Sequence, residues 1–273
     1  STLFPYTTLF RSEPFLPAGA MRDEFYINDQ LQNEAEHEKM SRIIDRFRQD
    51  SADFVRIDTR NNMPTAAGLS SSSSGLSALV KACNAYFETG YETEELAQLA
   101  KFASGSSARS FFGPLSAWDK DSGAIYPVQT DLKLAMIMLV LYDERKPISS
   151  REGMRICQAT SSNFKEWVEQ SAQDYRNMLI YLKDNDFDRV GRLAESNALL
   201  MHSTTQTAQP PFSYLTDQSY AAMDFIKELR QKGERCYFTM DAGPNVKVLC
   251  LEEDLDHLVP RSEEHTSELQ SRT

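Results

Sequence analysis

A run of five serines lies between Gly68 and Gly75 in the segment MPTAAGLSSSSSGLSAL. The residues before the run alternate as in a half-buried strand, and those after it have helical periodicity, so the run is unlike a linker. Glycines let backbone N–H groups approach a ligand, hydroxyls donate hydrogen bonds, and a helix N-terminus carries partial positive charge. The pattern indicates an anion cradle, although a serine-rich helix cap without a ligand has the same pattern. It is not a Walker A loop, because Gly-Lys-Ser/Thr is missing.

Three other side chains could take part in chemistry. Asp241, in TMDAGPN, lies between an apolar strand and a tight turn, where an aspartate is either a general base or an ordinary turn residue. Arg109, in SSARS, is either a bidentate partner for a carboxylate or an exposed surface arginine. His202 near a predicted helix end is interpreted as structural. Types and spacing alone leave the alternatives for Asp241 and Arg109 open.

Strand and helix patterns must position these residues. Alternation over residues 55–59 predicts a half-buried strand, and the apolar run 134–142 predicts a buried strand with Met136, Met138 and Leu139 in the core. Two apolar segments around Ala-Gly-Pro-Asn predict a hairpin near the end of the chain. This order, without strict strand–helix alternation, favours an α+β protein with two domains. Further helices are predicted over residues 151–173, 175–184, 187–200 and 218–232.

Composition excludes several classes of protein. The 273 residues carry a formal net charge of −11, which argues against a nucleic-acid partner, because a phosphate backbone requires a basic surface. No apolar run reaches bilayer-spanning length, so a membrane partner is not expected. The four cysteines have neither CxxC spacing nor a disulfide-scaffold pattern. We expect buried free thiols and a cytoplasmic location.

Both ends of the sequence resemble translated sequencing-adapter DNA rather than protein. The similarity covers TLFPYTTLFRS in residues 2–12 and RSEEHTSELQS in residues 261–271. We therefore set aside residues 1–12 and 261–273 before predicting the fold. The expected domains are residues 13–145, which bind ATP, and residues 146–260.

Four segments resemble one known family. PTAAGLSSSSSGLSAL resembles the nucleotide-phosphate loop of the GHMP kinase superfamily, and its Pro-Thr-Ala-Ala-Gly form resembles the diphosphomevalonate decarboxylases. SGSSARSFFGPLSAW, KPISSREGM and YFTMDAGPNVKVL resemble further segments of that family, in the family's order. The resemblance implies an α+β, two-domain GHMP kinase-like fold. Its N-terminal domain would be ribosomal-S5-domain-2-like and its C-terminal domain a ferredoxin-like α/β sandwich, each incomplete at its outer end.

The resemblance also implies a reaction in the mevalonate route of isoprenoid biosynthesis. ATP would phosphorylate the tertiary 3-hydroxyl of (R)-5-diphosphomevalonate, and loss of phosphate and carbon dioxide would give isopentenyl diphosphate. Asp241 would then be the catalytic base and Arg109 the catalytic arginine that holds the substrate carboxylate. ATP and Mg²⁺ are the implied cofactors, the metal ligands are not identified, and a homodimer is one option.

The implied binding residues fall into two sets. The nucleotide would be bound by Gly68, Leu69, Ser70, Ser71, Ser72, Ser73, Ser74 and Lys146. The substrate would be bound by Ser106, Ser107, Arg109, Ser149, Ser150 and Arg151.

One feature of the family does not occur in this sequence. An Asn-Ile-Ala-x-x-Lys-Tyr-Trp-Gly-Lys segment, whose lysine and tyrosine contact the substrate in the family, is not found here. The resemblance therefore leaves three alternatives: the decarboxylase, a small-molecule kinase of the same superfamily such as phosphomevalonate kinase, and an inactive fragment that only binds phosphate ligands.

Overall fold

The computed structural model describes residues 9–13, 22–48, 54–60, 71–103, 105–142 and 146–271. The described residues form two compact units that divide after Val128. Among them, no helix combines the length and the apolar composition needed to cross a bilayer.

The first unit contains a four-stranded mixed sheet and three helices. Strands β1 (Leu9–Glu13), β2 (Glu24–Ile27), β3 (Gln30–Leu31) and β4 (Arg56–Arg60) are arranged in the order β1-β4-β2-β3. Strand β4 is antiparallel to β1 and parallel to β2. The helices are α1 (Glu34–Ile44), α2 (Ser71–Tyr86) and α3 (Thr93–Ala103), followed by a 3₁₀ helix (Gly105–Phe111) and the hairpin of β5 (Ser116–Trp118) and β6 (Ile125–Pro127).

The core of the first unit follows the predicted alternation. Ile57 and Thr59 of β4 are buried, as is Val55 just before the strand, while the intervening residues are more exposed. Ile44 and Val80, from α1 and α2, are fully buried in the same apolar cluster. The predicted half-buried strand is confirmed, and α2 is the next element after it in the chain.

The second unit contains a three-stranded antiparallel sheet and five helices. The strands β7 (Leu134–Leu139), β8 (Tyr237–Thr239) and β9 (Val246–Leu251) have the order β7-β9-β8, so β9 is central. Strands β8 and β9 form the predicted hairpin. The helices are α4 (Ser150–Thr160), α5 (Phe164–Lys183), α6 (Phe187–Gln206), α7 (Asp217–Gln231) and α8 (Leu255–Ser271).

The structure corrects the predicted helix over residues 151–173. Helix α4 ends at Thr160, and α5 begins at Phe164 and continues without interruption to Lys183. Ser161 leaves the helix with an extended backbone (φ −75°, ψ 130°), and its hydroxyl lies 2.7 Å from Thr207 Oγ1. A contact with a residue far along the chain therefore marks the end of α4.

The predicted burial of the 134–142 run is also partly wrong. Met136 is 38% exposed and Met138 is half-buried, whereas Leu139 is buried. Strand β7 is an edge strand of the described sheet, which leaves part of it uncovered. The expected domain boundary after residue 145 differs as well, because β7 pairs with β9 of the second unit.

Residues that the sequence analysis set aside take part in two elements. Residues 9–12 belong to β1, which pairs with β4, and residues 261–271 belong to α8. The limits at residues 13 and 260 remain predictions from the sequence.

All four cysteines are buried and free, as expected. Burial raises the pKa of the Cys83 and Cys250 thiols to about 12 and that of Cys236 to about 11. The thiols of these three cysteines are therefore uncharged at neutral pH and pack as small apolar groups.

Gly191→Ala is predicted to destabilise the second unit. A Cβ at Gly191 would lie 1.9 Å from Tyr237 Cδ2, and that ring is 3% exposed and packed edge-on against Phe187. Overpacking of this kind costs about 1–3 kcal/mol or more. Urea denaturation measures the loss. The matched control is Gly75→Ala, which meets no atom within 4 Å, and an equal loss in both variants would contradict the prediction.

Candidate active site

In the first unit, hydroxyls connect the start of α2 to the 3₁₀ helix. Ser73 Oγ lies 2.5 Å from Ser106 Oγ. The buried Ser77 hydroxyl lies 2.9 Å from the Ser73 carbonyl oxygen and 2.8 Å from that of Ser107. Segments about 30 residues apart in sequence are thus held against each other by serines.

Ser107 lies in the interior of the first unit. The residue is fully buried, and its Oγ has no hydrogen-bond partner among the described residues. A buried hydroxyl normally has a partner, since leaving it unpaired costs about 1–3 kcal/mol. Arg109, two residues further on, is exposed, and its carbonyl oxygen accepts a hydrogen bond from Ser116 Oγ at 3.0 Å.

Part of the predicted phosphate loop lies outside the described residues. Gly68, Leu69 and Ser70 are among those not described, and so are the side chains of Ser71, Ser72 and Ser74. Their predicted roles stay predictions.

In the second unit, Asp241 lies in the loop of residues 240–245 between β8 and β9. Three backbone carbonyls of this loop accept side-chain hydrogen bonds. His202 Nε2, on α6, donates to the Asp241 carbonyl at 3.0 Å, and Lys146 Nζ donates to that of Ala242 at 2.6 Å. Ser219 Oγ, on α7, donates to the Pro244 carbonyl at 2.6 Å.

Asn245 closes the same loop from its other end. Its Oδ1 accepts hydrogen bonds from the backbone N–H groups of Leu141 (2.8 Å) and Tyr142 (2.9 Å), and its Nδ2 donates to the Tyr142 carbonyl at 2.8 Å. The loop is therefore fixed by residues from four places in the chain. This rigidity is what a positioned carboxylate requires.

The Asp241 carboxylate is paired with Lys247 of β9. The two side chains form an ion pair through Lys247 Nζ and Asp241 Oδ2. The Lys247 side chain is almost buried, whereas 47% of the Asp241 side chain is exposed. The carboxylate is thus held from the interior and remains accessible from outside.

Lys146 lies beside the loop and the start of α4. Its Nζ donates to Ser150 Oγ at 2.7 Å and lies 5.3 Å from the centre of the Tyr214 ring. Burial lowers the pKa of Lys146, and the negative charge of Asp241 opposes this effect.

The neighbouring serine and arginine candidates occupy the first residues of α4. Ser149 is the N-cap of α4, since its side chain accepts a hydrogen bond from the Glu152 N–H at 3.2 Å. Tyr214 OH donates to the Ser149 carbonyl at 3.1 Å, and burial raises the pKa of this tyrosine to about 12. Arg151 is exposed.

The structure gathers the candidates into two groups, one in each unit. Ser73, Ser106 and Ser107 are adjacent in the first unit, and Lys146, Ser150 and Asp241 are adjacent in the second. Sequence reasoning missed Lys247, and for His202 it did not foresee the contact with Asp241. The signal for Lys247 is a single charged residue inside the apolar strand VKVLCL.

The chain is similar to known proteins of one family. Residues 11–126 match a family described as the diphosphomevalonate decarboxylase-like N-terminal domain, and residues 136–271 match the mevalonate 5-diphosphate decarboxylase C-terminal domain. The structure of mevalonate pyrophosphate decarboxylase from Streptococcus pyogenes is 63% identical, with a TM-score of 0.87, over 94% of this chain and 85% of that one. The chain belongs to the diphosphomevalonate decarboxylase family. The family and the GHMP kinase-like α+β fold inferred from the sequence are thereby confirmed.

Other members of the diphosphomevalonate decarboxylase family are more distant. The diphosphomevalonate decarboxylase of Candida albicans is 32% identical over 75% of this chain and 59% of its own length. A structure titled as MDDEF in complex with MVAPP, AMPPCP and magnesium is 38% identical, with a TM-score of 0.83, and covers 93% of this chain and 80% of its own. The chain spans less than two thirds of the length of curated relatives such as the Candida albicans protein.

His202 is predicted to make stability depend on pH. Burial lowers the pKa of His202 below its ordinary value of 6.5, although the hydrogen bond and the charge of Asp241 oppose this. The folded protein therefore favours the neutral ring, and its contribution to stability is present above the unfolded pKa and lost as pH falls through the folded one. Comparing the urea midpoints of wild type and His202→Gln between about pH 8 and about pH 5 checks this. We expect the difference to shrink on acidification, and a constant difference would contradict the prediction.

Proposed function

We propose that this protein catalyses the ATP-dependent decarboxylation of (R)-5-diphosphomevalonate to isopentenyl diphosphate. The main support is the half-exposed Asp241 carboxylate, held by Lys247 on a loop whose carbonyls are also fixed. Family membership supports the same reaction, as does the related structure with MVAPP, AMPPCP and magnesium.

In this proposal Asp241 is the general base. A tertiary hydroxyl becomes a nucleophile toward the γ-phosphate of ATP as its proton moves to a positioned group. A carboxylate is suited to accept that proton, and the fixed loop limits the orientations it can adopt.

Serines and local cations would bind the phosphates. The chain has a formal net charge of −11, so polyanions must be held by specific groups rather than by the overall field. The Ser107 hydroxyl, which has no partner among the described residues, fits that requirement, as do Ser73, Ser106 and the Lys146 ammonium. The proposed phosphate ligands also include the rest of the serine run with Gly68 and Leu69, together with Ser149, Ser150 and Arg151.

Mg²⁺ is proposed to accompany ATP. Among the described residues, no group of three or more His, Cys, Asp or Glu side chains could hold a metal ion. This fits a magnesium ion bound largely through substrate phosphates, which is its common mode in phosphoryl-transfer sites. When bound, the ion neutralises phosphate charge during transfer.

Arg109 is proposed to hold the substrate carboxylate. Loss of phosphate from a tertiary carbon leaves developing positive charge, and departure of carbon dioxide supplies the electrons that neutralise it. The carboxylate must be oriented for this step, and the planar guanidinium can bind it in a bidentate manner. The side chain of Arg109 is exposed and therefore accessible.

A cytoplasmic location and a homodimer complete the proposal. The four buried free thiols support a reducing compartment. The homodimer rests on the family resemblance, and sedimentation equilibrium tests it.

The direct test measures ADP and carbon dioxide together. The full-length protein is incubated with ATP, Mg²⁺ and (R)-5-diphosphomevalonate, and the two products are expected in equal amounts. Release of ADP without carbon dioxide would indicate a kinase of the same superfamily. Binding of ATP without release of either product would indicate a phosphate-binding protein with no catalysis.

Asp241→Asn is predicted to abolish turnover without abolishing binding. The amide cannot accept the proton, so ADP release should fall by about 10²–10⁴-fold. The dissociation constant of the diphosphate substrate, measured by calorimetry, should remain within about threefold, which is less than 1 kcal/mol. Asp224→Asn, an exposed residue of α7, serves as the matched control. Normal turnover in Asp241→Asn would refute the assignment of the base.

Arg109→Lys is predicted to impair the reaction although the charge is kept. Lysine cannot bind a carboxylate through a planar fork, so kcat/KM should fall by about 10–100-fold, a loss of one or two strong hydrogen bonds. Steady-state kinetics compare it with Arg176→Lys, an exposed arginine of α5. Equal kinetics in the two variants would remove Arg109 from the site.

A further inference from the structure

Lys247 is a charged residue inside a fully buried strand. All six residues of β9 are buried, and Lys247 is 8% exposed. An ammonium group in such a place is strongly unfavourable unless it is paired. Its partner is the Asp241 carboxylate, six residues earlier in the chain. The pair joins the interior of the unit to the loop that carries the proposed base.

The sheet holds Lys247 in a defined place. In the register of β9, Lys247 is opposite Thr239 of β8 on one side and Met138 of β7 on the other. Backbone hydrogen bonds with two neighbouring strands fix its Cα, and burial limits the conformations of its side chain. The ammonium is therefore held in one position, from which it can orient the carboxylate.

Lys146 and His202 also face Asp241, and they hold different atoms. Lys146, before α4, donates to the Ala242 carbonyl, and His202, on α6, donates to the Asp241 carbonyl. Both therefore fix the backbone of the loop. Lys247 pairs with a carboxylate oxygen and so determines where the side chain points.

We propose that Lys247 is a positioning residue that acts through Asp241, by holding its carboxylate in the orientation that accepts the proton of the substrate hydroxyl. This inference rests on the proposed function. It assigns to the buried lysine a role in kcat rather than in substrate affinity, because Lys247 lies behind the carboxylate and contacts it from the interior.

The kinetic test compares Lys247→Met with Lys247→Arg. Methionine keeps an unbranched side chain and removes the charge, so kcat should fall by about 10–100-fold, as expected for a misplacement of about 1 Å. KM for the diphosphate substrate should stay within about threefold, since substrate contacts are kept. Lys247→Arg keeps a cation at this position, so its kcat should lie between that of Lys247→Met and that of the wild type. Lys227→Met, at an exposed lysine of α7, is the matched control.

A double-mutant cycle in urea unfolding tests the ion pair independently of activity. Asp241→Asn leaves the buried ammonium without its carboxylate. Lys247→Met then removes an unpaired charge, whereas in the wild type it breaks an ion pair. The urea midpoint should therefore be lowered less, or raised more, by Lys247→Met in the Asp241→Asn background than in the wild type. The same change in both backgrounds would overturn the pairing.

The two measurements distinguish failure of the inference from failure of the proposed function. Wild-type kcat in Lys247→Met would overturn the positioning role. A wild-type protein that releases neither ADP nor carbon dioxide would overturn the proposed function and the catalytic part of this inference with it. The unfolding cycle would then still decide whether Lys247 holds Asp241.

Discussion

The ion pair between Lys247 and Asp241 links a buried strand to a carboxylate that is half exposed. A lysine ammonium cannot remain inside an apolar strand without a partner, because the loss of hydration is too costly. Asp241 supplies the partner while about half of its side chain stays exposed. The position of the central strand β9 therefore determines where the carboxylate of the loop is held, and the proposed chemistry depends on that position.

Hydrogen bonds to its backbone carbonyl groups stabilise the same loop. Backbone oxygens that are partly or fully buried need donors, and here these come from His202, Lys146 and Ser219. Asn245 adds hydrogen bonds to the backbone that follows β7. Because the donors come from distant positions in the chain, the loop is rigid only when the whole unit is folded. Such preorganisation is what a proton-transfer site requires, since reorganisation during the reaction would raise its barrier.

In the first unit, serine hydroxyls rather than an ion pair connect the candidate segments. Serines near the start of α2 bond to the backbone and side chains of the 3₁₀ helix, and Ser107 keeps a buried hydroxyl without a partner among the described residues. Hydroxyls of this kind bind phosphate oxygens without adding charge. In the proposed function, such neutral donors would let an acidic protein bind polyanions locally.

The sequence alone determined the features that depend on neighbouring residues and on recognisable motifs. Alternation predicted the buried face of β4, the Ala-Gly-Pro-Asn turn predicted the hairpin of β8 and β9, and the lack of cysteine pairing motifs predicted free thiols. The serine run and the MDAGPN segment identified the family. These are local signals, so they can be recognised before the chain folds.

Only the tertiary structure decided which groups meet. The end of α4 before Ser161, the exposure of Met136 on an edge strand and the pairing of β7 with β9 depend on contacts between distant residues. His202 and Asp241 are 39 positions apart, and Lys146 and Ala242 are 96 positions apart. The sequence shows Lys247 as a charge in an apolar strand, but its partner is set by how the hairpin loop folds back. Burial and charge pairing are properties of the packed chain, and no local pattern specifies them.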